Sequence, residues 1–205
     1  MPESLDLAYP FRGTWLTQNS PADRVPSHGT ALYGSSFAID FVPVDESGRT
    51  ARFTIASLVR PERPTRFPGF GRLILAPVDG VVVAVHASAP DHPAFRGLPS
   101  VTYALTQARR AGAGWPALAG NHVMIETARG VVVALCHLQQ GSVRVAPGQR
   151  VEAEQPMATC GNSGNSTEPH LHLQALSSAD VTSASAVPIT LGGRLPRNGE
   201  VVRVS

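Results

Sequence analysis

Two histidines separated by one residue, His170 and His172, are the residues of this chain best placed to do chemistry. They follow a turn, Gly-Asn-Ser-Gly-Asn-Ser-Thr-Glu-Pro, over residues 161–169. In a strand, alternate side chains share a face, so both imidazoles would point one way while Leu171 points into the core. Both could then ligate one metal ion, or one could ligate while the other handles a proton of a metal-bound water. A surface strand that carries two histidines is an equally simple interpretation, so other residues must decide.

Five further histidines and one acid could complete a site. His137 ends a predicted strand. His28 lies twelve residues before Asp40, which is the single acid of a short predicted strand over residues 37–42. The other three histidines are most simply packing, surface or loop residues: His86, His92 and His122.

The elements that must position these residues are predicted to be short strands, because 18 prolines and 19 glycines disfavour long helices. A hairpin is predicted for residues 122–138. A second hairpin is predicted for residues 73–85, since Asp79 and Gly80 form a preferred pair for a tight primed turn. One short helix is predicted within residues 99–112. We therefore expect a mostly β protein.

Composition excludes several classes of function. All 17 basic residues are arginine, whereas a lipoyl or biotinyl carrier, a Schiff-base enzyme and a P-loop nucleotide site each need a lysine. The net charge of +2 is too mild to indicate nucleic-acid binding, and no basic stripe is interleaved with aromatic residues. Cys136 and Cys160 form no C-x-x-C motif, and we expect free core thiols in preference to one disulfide.

A single domain is predicted from 205 residues with 42% hydrophobic content. Its expected parts are an irregular N-terminal arm (residues 1–36), a catalytic core (37–176) and a C-terminal extension (177–205). Two insertions are expected within the core, near residues 46–71 and 87–119. No apolar run is long enough for a membrane span, and the first 20 residues lack a signal-peptide pattern. This leaves the cytoplasm, export by another route, or a signal already removed, so the compartment stays open.

Several motifs together resemble the lysostaphin-type (LytM-like) zinc metallopeptidases, a family of cell-wall endopeptidases. The motifs are Gly-Asn-His-Val-Met-Ile at 120–125, Cys-His-Leu-Gln-Gln-Gly-Ser-Val at 136–143, Val-Ala-Pro-Gly-Gln-Arg-Val at 145–151 and the glycine-rich turn with His-Leu-His at 161–172. The resemblance extends to Ala-Pro-Val-Asp-Gly-Val at 76–81 and, more loosely, to 38–41, so it covers about half of the chain. It implies an antiparallel β-sandwich of the duplicated hybrid type with long loops.

The resemblance also implies a metal site. By the family pattern, His28, Asp40 and His172 would bind one zinc ion and leave a position open for water. In many members of the family, the first histidine stands only four residues before the aspartate. The longer spacing here leaves His86 and His92 as alternatives to His28.

The same resemblance implies a reaction. A zinc-bound water would attack peptide bonds in peptidoglycan stem peptides or cross-bridges, assisted by the two non-ligand histidines, His137 and His170. Asn121, beside a predicted strand, and Tyr33, near His28 in the sequence, are candidate supporting residues. The two insertions would wall the substrate groove. An enzyme of this kind would act outside the cell or in its envelope, and its oligomeric state is not given by the sequence.

Two other classes of protein share parts of the pattern. A non-catalytic relative would bind peptidoglycan or activate another hydrolase, but such proteins usually lose site residues, whereas all five positions are filled here. A histidine phosphocarrier would accept phosphate on one histidine without zinc, and it would leave the pairing of His28 with Asp40 without a role. The sequence therefore favours the peptidase.

Overall fold

A computed structural model of the chain describes residues 4–205, with only the backbone described at residues 107 and 108. This part is mostly β, with 31% strand and 16% helix, so the predicted fold class is confirmed. The strands are β1 (Leu5–Leu7), β2 (Gly13–Gln18), β3 (Ile39–Pro43), β4 (Leu73–Leu75), β5 (Gly80–His86), β6 (Asn121–Glu126), β7 (Val132–Leu138), β8 (Arg150–Val151), β9 (Pro156–Thr159), β10 (Leu171–Leu176), β11 (Ala186–Val187), β12 (Ile189–Leu191) and β13 (Val201–Val204).

One large antiparallel sheet organises the fold. Its strand order is β13-β2-β3-β10-β7-β6-β5-β8, and β11 pairs with β10 outside this path. Two small sheets, parallel β1-β12 and antiparallel β4-β9, complete the strand pairing of the described chain. The strands that carry the predicted site, β3, β10 and β7, are neighbours at the centre of the large sheet.

Alternate residues of the large sheet bury two different faces, as period-2 strands require. On one face, Val123 and Leu135 join the main core, which also takes in both small sheets and a stack of Phe11 on Trp15 with ring centroids 4.3 Å apart. On the other face, Met124 and Cys136 belong to a smaller cluster. The predicted site lies on this second face.

The predicted hairpin at residues 122–138 is present as β6 and β7, but the one predicted at residues 73–85 is wrong. Strand β4 pairs with β9, and β5 pairs with β6 and β8. Gly80 serves close packing instead of a primed turn, because a Cβ there would lie 2.4 Å from the carbonyl oxygen of Glu126.

Helical structure is more extensive than the one short helix predicted. The described α-helices are α1 (Ile55–Val59), α2 (Leu98–Leu105), α3 (Gln107–Gly112) and α4 (Trp115–Ala119), and two 3-10 helices span Leu32–Phe37 and Pro64–Arg66. Glycines separate the pieces of the second insertion, since Gly97 and Gly114 precede α2 and α4 at positive φ. The helices of residues 4–205 all lack the length and apolar character of a membrane span.

The chain ends are integral to the sheet. Residues 1–36 were expected to be irregular, yet β1 and β2 lie within them, and residues 1–3 fall outside the described part. Residues 177–205 were expected to be an extension, yet β13 pairs with β2 from Val201 opposite Leu16 onward. The sequence did not predict the pairing of β2 with β13, because both strands are short and their paired residues are almost 190 positions apart in the sequence.

Candidate metal centre and substrate cavity

Asp40 and His172 face each other across two central strands. They are directly opposite in the pairing of β3 with β10, and Cys136 of β7 is opposite His172 on its other side. Opposed residues of an antiparallel pair bring their side chains together. As a result, His172 Nδ1 lies 2.9 Å from Asp40 Oδ1.

His28 reaches the same carboxylate from a loop. Its Nε2 lies 3.0 Å from Asp40 Oδ2, and the backbone N–H of Ser27 anchors the loop by donating to the carbonyl of Ser36 at 3.0 Å. His28, Asp40 and His172 each offer one atom that could bind a metal ion, and these three atoms lie within 4.8 Å of one another. The structure therefore brings together the three residues predicted as metal ligands.

The alternative first ligands lie elsewhere. The ring of His86 stacks on His122 with centroids 5.7 Å apart, and His92 Nε2 lies 3.0 Å from the carbonyl oxygen of Gly164. Neither belongs to the group around Asp40. His122 is buried and packs against two other rings, in agreement with the packing interpretation. The interpretation of His86 and His92 as loop residues is incomplete, because His86 ends β5 and both rings pack against other rings.

Hydrogen bonds to the outer nitrogens of His28 and His172, the ring nitrogens that point away from Asp40, suit a metal site. Gln174 Nε2 donates to the carbonyl of Tyr33, which turns Gln174 Oε1 toward His172 Nε2 at 2.9 Å. Ser27 Oγ donates to the carbonyl of Ser35 and can accept from His28 Nδ1 at 2.9 Å. In both histidines the outer N–H is held by an oxygen, so the inner nitrogen faces Asp40, and a metal ion bound there would replace its proton.

Asp40 is held as an anion. Burial by itself raises the pKa of its carboxyl group, but the charges of His28 and His170 and hydrogen bonds from His172 and His28 outweigh burial and hold that pKa well below its usual range. Asn19 Nδ2 also donates to Asp40 Oδ2 at 2.7 Å. A buried carboxylate between two imidazoles is the N/O donor set that zinc prefers. The residues present therefore fit a zinc ion.

A β-bulge brings His137 to the site. Cys136 and His137 of β7 together oppose one residue of β6, because Leu138 pairs with Asn121 and Leu135 with Val123. His137 has a φ of 62°, which is uncommon for a side chain with a Cβ. Regular alternation would turn His137 to the main core, whereas the bulge places it on the same face as Cys136.

His137 and His170 stand side by side, with ring centroids 4.6 Å apart. His137 Nδ1 donates to the carbonyl of Ser163 at 2.9 Å, and His170 Nδ1 donates to the carbonyl of Glu168 at 2.8 Å. Because a carbonyl can only accept, both rings keep Nε2 free for chemistry. Burial and the charges of His170 and His172 hold the pKa of His137 well below its usual range, so this ring is neutral near pH 7.

The glycine-rich turn at residues 161–169 holds the Ser163 carbonyl that accepts from His137. Gly164 has a φ of +73°, and a Cβ there would lie 2.4 Å from the backbone nitrogen of Gly120. This close approach lets Ser163 Oγ accept from the backbone N–H of Asn121 and donate to the carbonyl of Leu138. The turn is thereby fixed against β6 and β7, and its Ser163 carbonyl is fixed with it.

Of the two candidate supporting residues, Asn121 is buried away from the cavity. Its side chain accepts from the backbone N–H of Ala89 at 2.7 Å and donates to the carbonyls of Ala89 and Leu138. These bonds fix the backbone of Ala89 and of Leu138, the last residue of β7. Tyr33 lines the cavity, and its ring packs 6.1 Å from that of Trp115.

A cavity of about 510 Å³ opens over the site. Its walls include residues from the loop of His28 and from the second insertion, while the described residues of 46–71 contribute none. The prediction that both insertions wall the groove is therefore correct for 87–119 alone. Lining residues that the sequence did not reveal include Gln18, Asn19, Tyr103, Arg110, Trp115 and Glu168.

Cys136 and Cys160 are free and buried, so the prediction of free core thiols is confirmed. Cys136 lies in the cavity floor, and burial together with the charge of Asp40 raises the pKa of its thiol. A protonated, buried thiol is a poor nucleophile.

Comparison with known families gives a match over residues 99–183 to peptidase family M23. The matched segment contains the motifs around His137 and His172 and begins after Asp40. The match confirms the resemblance to the lysostaphin-type peptidases.

Solved structures give further similarities. The catalytic domain of a variant of the prophage-encoded M23 protein EnpA from Enterococcus faecalis is 20% identical, with 77% of this chain and 78% of that chain covered and a TM-score of 0.43. The catalytic domain of the antimicrobial peptidase lysostaphin from Staphylococcus simulans is 18% identical, with coverage of 77% and 80% and a TM-score of 0.42. A zinc-containing peptidase from Vibrio cholerae is 19% identical, with coverage of 67% and 46% and a TM-score of 0.36. No functional conclusion rests on similarities this distant.

Proposed function

Starting from a chain that carries the M23 peptidase pattern, we propose a zinc-dependent metalloendopeptidase that hydrolyses peptide bonds in peptidoglycan stem peptides or cross-bridges. The observation that carries the proposal is the meeting of His28, Asp40 and His172 within 4.8 Å in the floor of a cavity. Two further imidazoles, His137 and His170, stand beside them. The peptidase class is supported by the family match, and the cell-wall substrate by the resemblance of the motifs.

The three ligands would be His28 through Nε2, Asp40 through its carboxylate and His172 through Nδ1. A zinc ion held there supplies a Lewis acid for the scissile carbonyl and lowers the pKa of a coordinated water toward 7. Gln174 and Ser27 would keep the two imidazoles in the tautomers that bind metal.

His137 and His170 would handle the protons of the reaction. His137 is neutral near pH 7 and keeps Nε2 free, so it can take a proton from the attacking water and return it to the leaving amine. His170 Nδ1 is held by the carbonyl of Glu168, and its ring stands beside that of His137, so the doubly protonated ring can donate a hydrogen bond to the developing oxyanion.

The charged residues Arg110 and Glu168 line the cavity in which a substrate would bind. Arg110 is already committed, since it donates to Asn165 Oδ1, Thr106 Oγ1 and the carbonyl of Tyr103. Glu168 Oε2 is buried in the cavity wall and has no hydrogen-bond partner among residues 4–205. A free carboxylate at this position suits a substrate that brings an ammonium group.

Digestion of purified peptidoglycan by the full chain, with and without a metal chelator and followed by mass analysis of the released fragments, tests the proposal. We expect peptide-bond cleavage that the chelator abolishes and added zinc restores. Tight binding without any released fragment would favour a non-catalytic relative that binds peptidoglycan or activates another hydrolase. Cleavage insensitive to the chelator would contradict the zinc mechanism.

A further inference from the structure

The two insertions carry an unusual share of exposed apolar side chains. Of the eleven large hydrophobic residues exposed within the described chain, seven lie on two short stretches, residues 53–59 and 98–105. We call these seven the outer face: Phe53, Ile55, Leu58, Val59, Leu98, Val101 and Leu105. Single exposed apolar residues are ordinary, but a group of this size marks an interaction surface.

Helix periodicity shows that the outer face is organised. Leu98, Val101 and Leu105 follow the i, i+3, i+7 spacing, so they share one side of α2, and they are 66%, 56% and 79% exposed. Pro99 is buried, and Tyr103 lines the cavity from another side of this helix. The apolar side of α2 therefore points to solvent while another side walls the cavity.

The two insertions form one unit. Arg96 Nε donates to Glu62 Oε2 at 2.7 Å, and its other nitrogens donate to the carbonyls of Ala51 and Arg52. Glu62 and Ala94 also pair as a β-bridge. A Cβ on Gly97, the residue before α2, would lie 2.7 Å from Leu58 Cα of α1. The start of α2 is thus packed directly on α1, so their exposed apolar residues lie on two adjoining helices.

Charge is strongly segregated to the same unit. Residues 46–71 and 87–119 hold eight of the 17 arginines but three of the 15 acids, which gives them a formal charge of +5. The remaining nine arginines and twelve acids give the rest of the chain −3. Of the three acids in the unit, Glu62 is buried against Arg96, whereas Arg52 and Arg60, on either side of α1, are exposed.

We propose that the outer face docks on the surface of an anionic lipid bilayer, with the apolar side chains of α1 and α2 in the interface and the exposed arginines beside α1, Arg52 and Arg60, on lipid headgroups. Amphipathic helices with arginine beside their apolar side bind bilayers in this way, through buried apolar area and attraction to anionic lipid. The cavity would then open beside the membrane surface.

Charge argues against the other occupants of this face. A second copy docked face to face would bring +5 against +5, because a two-fold interface uses the same patch on both subunits. A soluble polyanion would satisfy the arginines but would leave the apolar side chains of Ile55 and Leu105, 87% and 79% exposed, in water. An anionic bilayer accommodates both kinds of group.

The test is co-sedimentation of the full chain with vesicles of phosphatidylcholine containing 30% phosphatidylglycerol or none. We expect binding to the anionic vesicles alone, reduced about tenfold by Leu98→Ser with Leu105→Ser and at least about fivefold by Arg52→Gln with Arg60→Gln. The matched controls Leu73→Ser with Val201→Ser, and Arg144→Gln with Arg203→Gln, replace exposed residues outside the unit and should bind as the unaltered chain does.

Three outcomes would overturn the proposal. The first is no binding of the unaltered chain to anionic vesicles in low salt. The second is binding lost with the arginines but unchanged by the serine pair, which would indicate a polyanion site. The third is a dimer in solution that the serine pair dissociates. Salt dependence of the unaltered chain provides a measurement that requires no variant, and peptidase activity plays no part in any readout.

Discussion

Asp40 and His172 lie directly opposite each other on the paired strands β3 and β10, and His172 Nδ1 is 2.9 Å from Asp40 Oδ1. Their register is fixed because both strands bury alternate residues, Ile39 and Phe41 on one and Leu171 and Leu173 on the other, in the main core. A slip by one residue would turn the carboxylate and the imidazole to the wrong face. The sheet itself therefore fixes two of the three proposed ligands, and a loop supplies the third.

Removing the proposed base should affect catalysis without removing the metal. We expect His137→Asn to lower kcat for peptidoglycan peptides roughly 100- to 10,000-fold, the usual contribution of a general acid–base residue, with zinc content unchanged. Asparagine is chosen because it tolerates the positive φ of this position better than alanine does. His86→Asn, outside the cavity, is the control. Steady-state kinetics that show equal kcat in both variants would contradict the assignment.

The residue that orients His172 should control metal affinity. Gln174→Met preserves size but removes the oxygen that faces His172 Nε2, so we expect zinc to bind roughly 10- to 100-fold more weakly. Gln174→Glu loses the donor to the Tyr33 carbonyl but retains the acceptor for His172 Nε2, so it should keep more of the affinity than the methionine variant. Competition of each variant with a chromogenic chelator measures the zinc dissociation constant. Equal weakening in both variants would point to a packing effect instead.

Sequence patterns predicted the central hairpin because its two strands are joined by a short local turn, and they singled out His137, His170 and His172 through motifs around that hairpin and the glycine-rich turn. They could not predict how His137 enters the site. Its face depends on a β-bulge and a φ of 62°, which period-2 reasoning does not contain. Asn19 was missed for a similar reason, since its contact with Asp40 depends on β2 pairing with β3 inside a segment that was expected to be irregular.

Low pH should remove the stabilising ion pair between Glu62 and Arg96, which joins the two insertions. Burial raises the pKa of Glu62, but hydrogen bonds from Arg96 and Ser57 and the charge of Arg96 outweigh burial and hold this pKa below its ordinary value of 4.5. A lowered folded-state pKa contributes stability that is fully present above the unfolded-state pKa and is lost as the pH falls through the folded-state value. The Glu62–Arg96 pair therefore stabilises the fold at neutral pH and loses this effect in acid.

Glu62→Gln should accordingly lower the free energy of unfolding by about 1–3 kcal/mol at pH 7. The difference from the unaltered chain should shrink as the pH falls below 4.5. Urea unfolding across this pH range measures the difference, and Glu126→Gln at the exposed end of β6 is the control. A difference independent of pH would show that the charge of Glu62 is not what stabilises the unit.

Glu168 should select substrates by charge. We expect the unaltered chain to cleave a peptide with a free ammonium group near the scissile bond roughly tenfold better, in kcat/KM, than its acetylated counterpart. Glu168→Gln should abolish the preference while both peptides are still cleaved. Two peptide pairs, one with the ammonium on a lysine side chain and one with it at the amino terminus, identify its source. An unchanged ratio in the variant for both pairs would exclude Glu168 as the determinant.

The central claim is that His28, Asp40 and His172 hold a zinc ion while His170 acts beside it. Its most direct test is the zinc content of purified protein, measured by mass spectrometry on the unaltered chain and on two single variants of neighbouring histidines. We predict about one zinc per chain, retained by His170→Ala and strongly reduced by His172→Ala. Equal zinc content in the two variants, whether retained or lost, would contradict the division of roles.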